Sequence, residues 1–142
     1  MEEELSLVEA FLSIEQVRFG SRLKAILEVE DASKSCAIPS LSLQPLVENA
    51  VRHGINGLVE GGAIRLAIRV QGSRLIIDVE NPRDPEHQSK HPRRRGLGLD
   101  NVRGRLRSLY GPAARLETVA QPASFRATLT LPAESPAEAR KR

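Results

Sequence analysis

In several stretches of this 142-residue chain every second residue is small or apolar, and this alternation restricts the fold more than any other feature. Successive side chains of a strand point to opposite faces, so each stretch predicts a strand with one buried face. The positions that share a face are Leu23, Ala25, Leu27 and Val29; Ile64, Leu66, Ile68 and Val70; Leu75, Ile77 and Val79; Leu116, Thr118 and Ala120; and Phe125, Ala127, Leu129 and Leu131. The short Gly-containing link at 71–73 predicts a hairpin, and the last two stretches predict another.

Three other stretches have apolar residues at helical spacing. They run from Glu3 to about Arg18, from Ser42 to Gly54, and from Gly96-Leu97-Gly98 to the stop at Gly111-Pro112. Ser42 is the expected N-cap of the second helix, Gly54 ends it, and residues 30–40 are expected to be a loop. Together the elements predict an α/β fold: a two-layer sandwich of a five-stranded, mixed and mostly antiparallel sheet with three helices on one face.

The charge balance and the scarcity of aromatic residues exclude some classes of ligand. Lys and Arg number 21 against 18 acidic residues, so the net charge of +3 suits an anionic ligand but is too small to indicate nucleic acid. Four aromatic residues cannot form a stacking platform for single-stranded bases: Phe11, Phe19, Tyr110 and Phe125. Cys36 is the only cysteine, which excludes an internal disulfide and leaves it the role of a small buried hydrophobe.

The chain has the length of one domain, which we expect to occupy residues 1–132, followed by a disordered basic tail at 133–142. It contains no run of about 18 apolar residues, the length that crosses a bilayer. The acidic start Met1–Glu4 does not resemble an export signal. We therefore expect a cytoplasmic domain that makes no membrane contact of its own.

The helix predicted over 42–54 has an unusual polar face. At 100° per residue, its apolar residues fall on one side and its polar residues on the other. The polar side carries Pro45, Glu48, Asn49, Arg52 and His53. An amide oxygen suits a hard divalent cation, and an Arg and a His one turn further on suit phosphate oxygens beside that cation. The alternative interpretation is an ordinary solvated helix face.

The start of the third predicted helix suits the same ligand. Gly96-Leu97-Gly98 lies where a loop becomes a helix, so unpaired N–H groups and the positive end of the helix dipole face an anion there. The pattern matches neither a P-loop nor a dinucleotide-binding fingerprint. A flexible hinge before the helix is the alternative.

Three segments, in the same order, resemble the LytS-type sensor histidine kinases. They are residues 7–20 (LVEAFLSIEQVRFG), the N box at 43–54 (LQPLVENAVRHG) and a glycine box at 96–106 (GLGLDNVRGRL). The resemblance covers nearly the whole chain. It implies the ATP-binding Bergerat fold that these kinases share with gyrase-type and MutL-type ATPases, a fold with which the predicted sandwich is compatible.

The resemblance also implies roles for single residues. Asn49 would coordinate the Mg²⁺ that bridges the ATP phosphates, and Glu48 would orient the attacking nucleophile or water or have a purely structural role. Arg52 and His53 would touch phosphate or the ribose side. The segment Gly96, Leu97, Gly98 and Leu99 would border the phosphates.

Other implied roles belong to the end of the second hairpin strand and the segment that follows it. Residues 82–95 would be the ATP lid, in which Arg93–Arg95 would reach the γ-phosphate or only keep the loop soluble. Asn81 stands where the family has an Asp that accepts a hydrogen bond from the adenine amino group. Its side-chain oxygen can still accept that bond but carries no charge, and Pro82 and Arg83 replace the usual glycines.

The resemblance implies a catalytic domain that binds Mg-ATP and transfers the γ-phosphoryl group to a histidine on an upstream dimerisation region, with a response regulator as the next acceptor. That histidine is not in this sequence, so we expect a C-terminal fragment of a membrane-anchored protein. Alternatives are a degenerate, non-catalytic nucleotide-binding or protein-interaction module, and a serine kinase of the anti-sigma-factor type. A nucleic-acid binder using the basic lid and tail is the least favoured.

Overall fold

The computed structural model describes residues 1–86 and 97–141 of the chain. Helices are α1 (Glu2–Phe19), α2 (Asp31–Lys34), α3 (Leu43–His53), α4 (Leu97–Tyr110) and α5 (Pro136–Ala139). Strands are β1 (Leu23–Val29), β2 (Gly62–Gln71), β3 (Arg74–Pro82), β4 (Arg115–Ala120) and β5 (Ser124–Pro132). The predicted strands and the three predicted long helices are confirmed, with ends shifted by a few residues at most.

The strands form one sheet in the order β1-β2-β3-β5-β4. β1 pairs with β2 in parallel, and the other neighbours are antiparallel. One row across the sheet illustrates the register, with Leu27, Leu66, Val79, Ala127 and Thr118 as successive partners. The mixed, mostly antiparallel sheet of the predicted sandwich is therefore confirmed.

The core lies between the sheet and the three long helices. Side chains at alternate strand positions are buried on the helix side, among them Ile64, Ile77 and Leu129. In the helix layer α3 contacts both α1 and α4, and it also packs on β2 and β3. The helix α3 therefore lies between the other two long helices and against the sheet.

The segment 30–40, predicted to be a loop, contains the single helical turn α2. Its hydrogen bonds are local: the Ser33 hydroxyl donates to the Glu30 carbonyl at 2.6 Å, and Lys34 bonds Asp31 at 2.6 Å. One turn is too short to show a helical period of apolar residues, so sequence pattern misses it. Cys36 follows this turn and is buried as predicted, and burial raises the pKa of its thiol.

The described part of the tail also contains a helical turn, α5. The Ser135 hydroxyl accepts from the backbone N–H of Glu138 at 3.4 Å, and the Glu138 carboxylate accepts from the backbone N–H of Ser135 at 2.7 Å. These two reciprocal hydrogen bonds form a capping box, which satisfies two backbone N–H groups at the start of the turn. Over residues 1–86 and 97–141, no helix is both long enough and apolar enough to cross a bilayer.

Candidate functional site

The site is built on α3, whose two faces separate as the residue spacing predicts. The apolar face is buried against the core and consists of Leu43, Leu46, Val47, Ala50 and Val51. On the polar face Glu48, Arg52 and His53 are exposed, while Pro45 and Asn49 are half-buried. The four polar side chains thus share one surface of a helix that the core holds in place.

Glu48 has a partner on its own helix. The Gln44 side-chain amide donates to the Glu48 carboxylate at 2.8 Å, one turn away on the exposed surface. This bond directs one carboxylate oxygen along the helix axis. The other oxygen, Oε2, takes no part in this bond.

At its N-terminal end, the polar face meets the start of α4. A Cβ added to Gly98 would lie 3.8 Å from the Cβ of Pro45, an ordinary contact distance. Neither packing nor a left-handed backbone therefore requires glycine at this position. Glycine here leaves the exposed first turn of α4 open to close approach by a ligand.

At the C-terminal end of α3, Gly54 lies against Asn81 of β3. Asn81 continues the series Leu75, Ile77 and Val79, so its side chain faces the helices, and the residue is 2% exposed. Its Nδ2 donates to the carbonyl of Pro82 at 2.8 Å, whereas its buried Oδ1 has no partner among the described residues. A buried acceptor without a donor is unfavourable, so Oδ1 fits a donor brought by a ligand.

Gly54 holds the end of α3 against Asn81. A Cβ at Gly54 would lie 2.5 Å from the carbonyl oxygen of Ala50 and 2.8 Å from Nδ2 of Asn81. Both distances are too short for a real side chain, so only glycine allows this approach. The sequence identified Gly54 as a helix stop but did not indicate its contact with Asn81, which becomes apparent only when the two elements are packed together.

The turn that follows α3 is held by Arg22. Its guanidinium donates to the carbonyl of Leu58 at 2.6 Å and to that of Ile55 at 3.4 Å, and it lies over the ring of Phe19 at 5.6 Å from the centroid. These contacts tie the C-terminal end of α3 to the segment that links α1 and β1. Sequence pattern did not single out Arg22, because its partners are backbone groups more than 30 residues away.

Several predicted site residues fall outside the described residues. They are Gly96, the Arg93–Arg95 run and the greater part of the predicted lid at 82–95. Leu97 is described as the first residue of α4, without its side chain. Leu99 is buried in the core, so its backbone is the part available to a ligand.

The residues on the polar face fit a magnesium–nucleotide pair better than a metal held by protein alone. Among the described residues, no three His, Cys, Asp or Glu side chains cluster as metal ligands. Mg²⁺ is usually held by one or two protein oxygens together with phosphates and water. A single amide oxygen from Asn49, with Arg52 and His53 one turn away for phosphate, suits that pattern.

Comparison with known proteins identifies relatives of the chain, although no family model matches it. The sensor histidine kinase BtsS of Escherichia coli (strain K12) is 32% identical over 131 residues, which are 92% of this chain and 23% of BtsS. YesM of Bacillus subtilis (strain 168) is 34% identical over 78% of this chain and 20% of its own length. LytS of Enterococcus faecalis is 31% identical over 77% of this chain and 20% of its own length.

Solved structures share the fold. The catalytic domain of the histidine kinase ThkA superposes with a TM-score of 0.67 at 15% identity and covers 94% of each chain. The histidine kinase AdeS of Acinetobacter baumannii gives a TM-score of 0.62 at 14% identity, over 94% of this chain and 65% of its own. The chain is thus related to the LytS-type and other sensor histidine kinases over about a fifth of their length, and it has the fold of a histidine kinase catalytic domain.

Proposed function

We propose that this chain binds ATP with Mg²⁺ and transfers the γ-phosphoryl group to a histidine on a dimerisation region outside the chain. The supporting observation is the arrangement around α3. Pro45 of its polar face lies beside Gly98 at the start of α4, and Gly54 at its C-terminal end lies against Asn81, whose Oδ1 has no partner among the described residues. A nucleotide lying along α3 would have its phosphates at one end and its adenine at the other.

Each polar residue then has a separate task. Asn49 supplies a side-chain oxygen to the metal, and Arg52 and His53 bind phosphate oxygens or the ribose side. The backbone N–H groups from Gly96 to Leu99 donate to phosphate oxygens at the positive end of α4. Mg²⁺ held by Asn49 would supply positive charge to neutralise the transferring phosphoryl group. Most of the remaining acceleration comes from holding the phosphoryl group in line with its acceptor.

Glu48 stands beside Asn49 and is the candidate for orienting the attacking nucleophile or water. Its carboxylate keeps an oxygen free of the Gln44 bond, which supports this role. The Asn81 amide accepts from the adenine amino group through Oδ1, while its Nδ2 stays bonded to the carbonyl of Pro82. We propose that residues 82–95 close over the nucleotide as a lid.

The proposed partners follow from the relatives. ThkA has been solved in complex with the response regulator TrrA, and that structure matches this chain with a TM-score of 0.66 at 16% identity, over 42% of its own length. We propose that a response regulator likewise receives the phosphoryl group from the parent of this chain. Because ATP is the donor, we propose that residues 1–132 form a domain that works in the cytoplasm, in a parent protein anchored to a membrane.

A phosphotransfer assay tests the proposal. The chain is mixed with radiolabelled ATP, Mg²⁺ and a polypeptide carrying the histidine-bearing helices of the parent kinase. We expect label on that polypeptide that is lost in acid and stable in alkali. Asn49→Ala should reduce its initial rate by about a hundredfold or more, as loss of a transition-state charge stabiliser does.

Gln16→Ala is the matched control, because it removes an exposed amide from a different helix, α1. It should label the polypeptide at the rate of the unsubstituted chain. Label that is stable in acid would instead indicate a serine kinase. If calorimetry detects no binding of Mg-ATP, the non-catalytic alternative replaces the proposal; the uncharged Asn81 in place of the family's Asp is the observation in its favour.

A further inference from the structure

Three consecutive backbone N–H groups just before and at the start of α3 converge on one buried carboxylate. Leu41 donates to Oε1 of Glu4 at 2.6 Å, and Ser42 and Leu43 each donate to Oε2 at 3.0 Å. Glu4 belongs to the first turn of α1 and is only 5% exposed. A side chain of one helix therefore caps another helix that lies almost 40 residues further along the chain.

The backbone at this point is shaped to receive an anion. Leu41 has a φ of 59°, and Ser42 follows with a φ of −97° and a ψ of −41°. A left-handed residue followed by a right-handed one turns successive N–H groups to the same side and forms an anion-binding concavity. Leu41 is the only described non-glycine residue with positive φ, a conformation that a side chain normally disfavours.

Glu4 takes the place of the predicted local cap. Ser42 stands at the N-cap position, but its side chain makes no capping hydrogen bond, and its buried Oγ has no partner among the described residues. Ser42 is thus the N-cap residue by position, as predicted, but its hydroxyl does not supply the capping hydrogen bond. Its backbone is already helical, whereas a hydroxyl cap requires an extended conformation at that residue.

The same loop is also tied to α4. The guanidinium of Arg105 donates to the carbonyl of Ser40, directly before the residues that bind Glu4. The loop thus joins α1 to α4, and α3 begins where the two connections meet. Asn49 lies six residues after Leu43, about 9 Å along the helix at 1.5 Å per residue. A displacement of the start of α3 would move Asn49 with it, since a short helix moves as a unit.

We infer that Glu4 is a positioning residue for the nucleotide site: its carboxylate fixes the start of α3 to α1 and so sets where Asn49 lies relative to α4. This inference rests on the proposed function. It assigns Glu4 no contact with the nucleotide. A shift of α1 would reach the site through these three hydrogen bonds.

The test uses Glu4→Gln, which keeps the shape but replaces one acceptor oxygen with an NH₂ group that faces backbone donors. Glu3→Gln is the matched control, because it removes one charge from the same turn at an exposed position. Calorimetry measures the affinity for ATP with Mg²⁺ and with EDTA, and the ratio of the two constants is the readout. Melting temperature and far-UV circular dichroism show that each variant is folded at the temperature used.

We expect Mg²⁺ to enhance ATP binding in the unsubstituted chain and Asn49→Ala to remove that enhancement. Glu4→Gln should reduce the enhancement about tenfold, whereas Glu3→Gln should leave it within about twofold. In the Asn49→Ala background Glu4→Gln should have no further effect, because a residue that acts through Asn49 is not additive with it. Glu4→Asp, which keeps the charge on a shorter side chain, should fall between Glu4→Gln and the unsubstituted chain.

A Glu4→Gln variant that is folded and shows undiminished enhancement would overturn the inference while leaving the proposed function intact. A lower melting temperature with unchanged enhancement would also overturn it, since that result describes a purely structural cap. If Glu4→Gln does not fold, the ratio of ATP affinities with Mg²⁺ and with EDTA is measured for Glu4→Asp instead, and an undiminished ratio would overturn the inference. Absence of ATP binding by the unsubstituted chain would overturn the proposed function and this inference together.

Discussion

At the scale of single residues, Asn81 and Gly54 depend on each other. Gly54 has no side chain, so the end of α3 can approach Asn81, and that approach helps to exclude water from the Asn81 amide. The amide bonds only one of its two polar atoms within the described part of the chain. An unsatisfied oxygen in such a place lowers stability, which supports the proposal that a ligand donates to it.

Asn81→Ala tests this interpretation through the base of the nucleotide. We expect the affinity for ATP to fall about three- to tenfold, the range of a single neutral hydrogen bond. The affinity for purine riboside triphosphate, which lacks the amino group, should change little, so the preference for ATP should disappear. Calorimetric titration of both nucleotides in the presence of Mg²⁺ measures the two affinities. An equal loss for both nucleotides would mean that Asn81 supports the site without binding the adenine amino group.

At the scale of elements, each long helix packs into the core through one stripe of apolar residues. In α4, Leu106 is 1% exposed within the core and Leu109 is 53% exposed on the outer surface. In α1, Val8 and Leu12 are buried while Ile14 is exposed. The apolar residues of α1 therefore divide into a group in the core and a group exposed outside it.

Leu106→Ala and Leu109→Ala form a matched pair on one helix. The buried substitution should lower the free energy of unfolding by about 2–5 kcal/mol, because it removes apolar contacts and leaves a cavity. The exposed substitution should change it by less than about 0.5 kcal/mol. Urea denaturation followed by circular dichroism measures both changes. Equal losses would mean that α4 packs on the sheet through a different face.

At the scale of the whole molecule, the long helices cover one face of the sheet, and within residues 1–86 and 97–141 no helix layer covers the other. The uncovered face carries ion pairs between neighbouring strands: Arg65 with Glu28, Arg69 with Asp78, and Arg126 with Glu80, each at 2.6 Å. Asp78 also accepts from the hydroxyl of Thr128 at 2.6 Å. The hydrogen bond to Glu80 raises the pKa of Arg126. These side chains keep the face polar without a second layer of helices.

These exposed pairs should contribute little to stability. Raising the NaCl concentration from about 0.05 M to about 0.5 M, which shortens the screening length to about 4 Å, should lower the free energy of unfolding by no more than about 1 kcal/mol. Glu80→Gln should likewise cost less than about 1 kcal/mol. Urea denaturation at the two salt concentrations measures the effect. A loss of several kcal/mol would show that the ion pairs act as a coupled network.

The sequence by itself determined the elements and the faces they present. Alternation at Leu75, Ile77 and Val79 identified a strand and its buried side, and helical spacing identified the polar face with Asn49. These features are local, since the period of the backbone sets which residues share a face. The sequence pattern did not predict the short turn α2, because a single turn is too short to show a helical period of apolar residues.

Only the tertiary structure decided which of these faces meet. The contact between Gly54 and Asn81, the capping of α3 by Glu4 and the tie of Arg105 to Ser40 join residues 27 to 65 positions apart. In the sequence Glu4 is one of three acids in a first helical turn, although it lies four residues before the buried Val8 and on the same face. Nothing local distinguishes its carboxylate, because its partners are backbone N–H groups that every residue except proline possesses. Their direction is set by the left-handed conformation of Leu41, which only the packed chain stabilises.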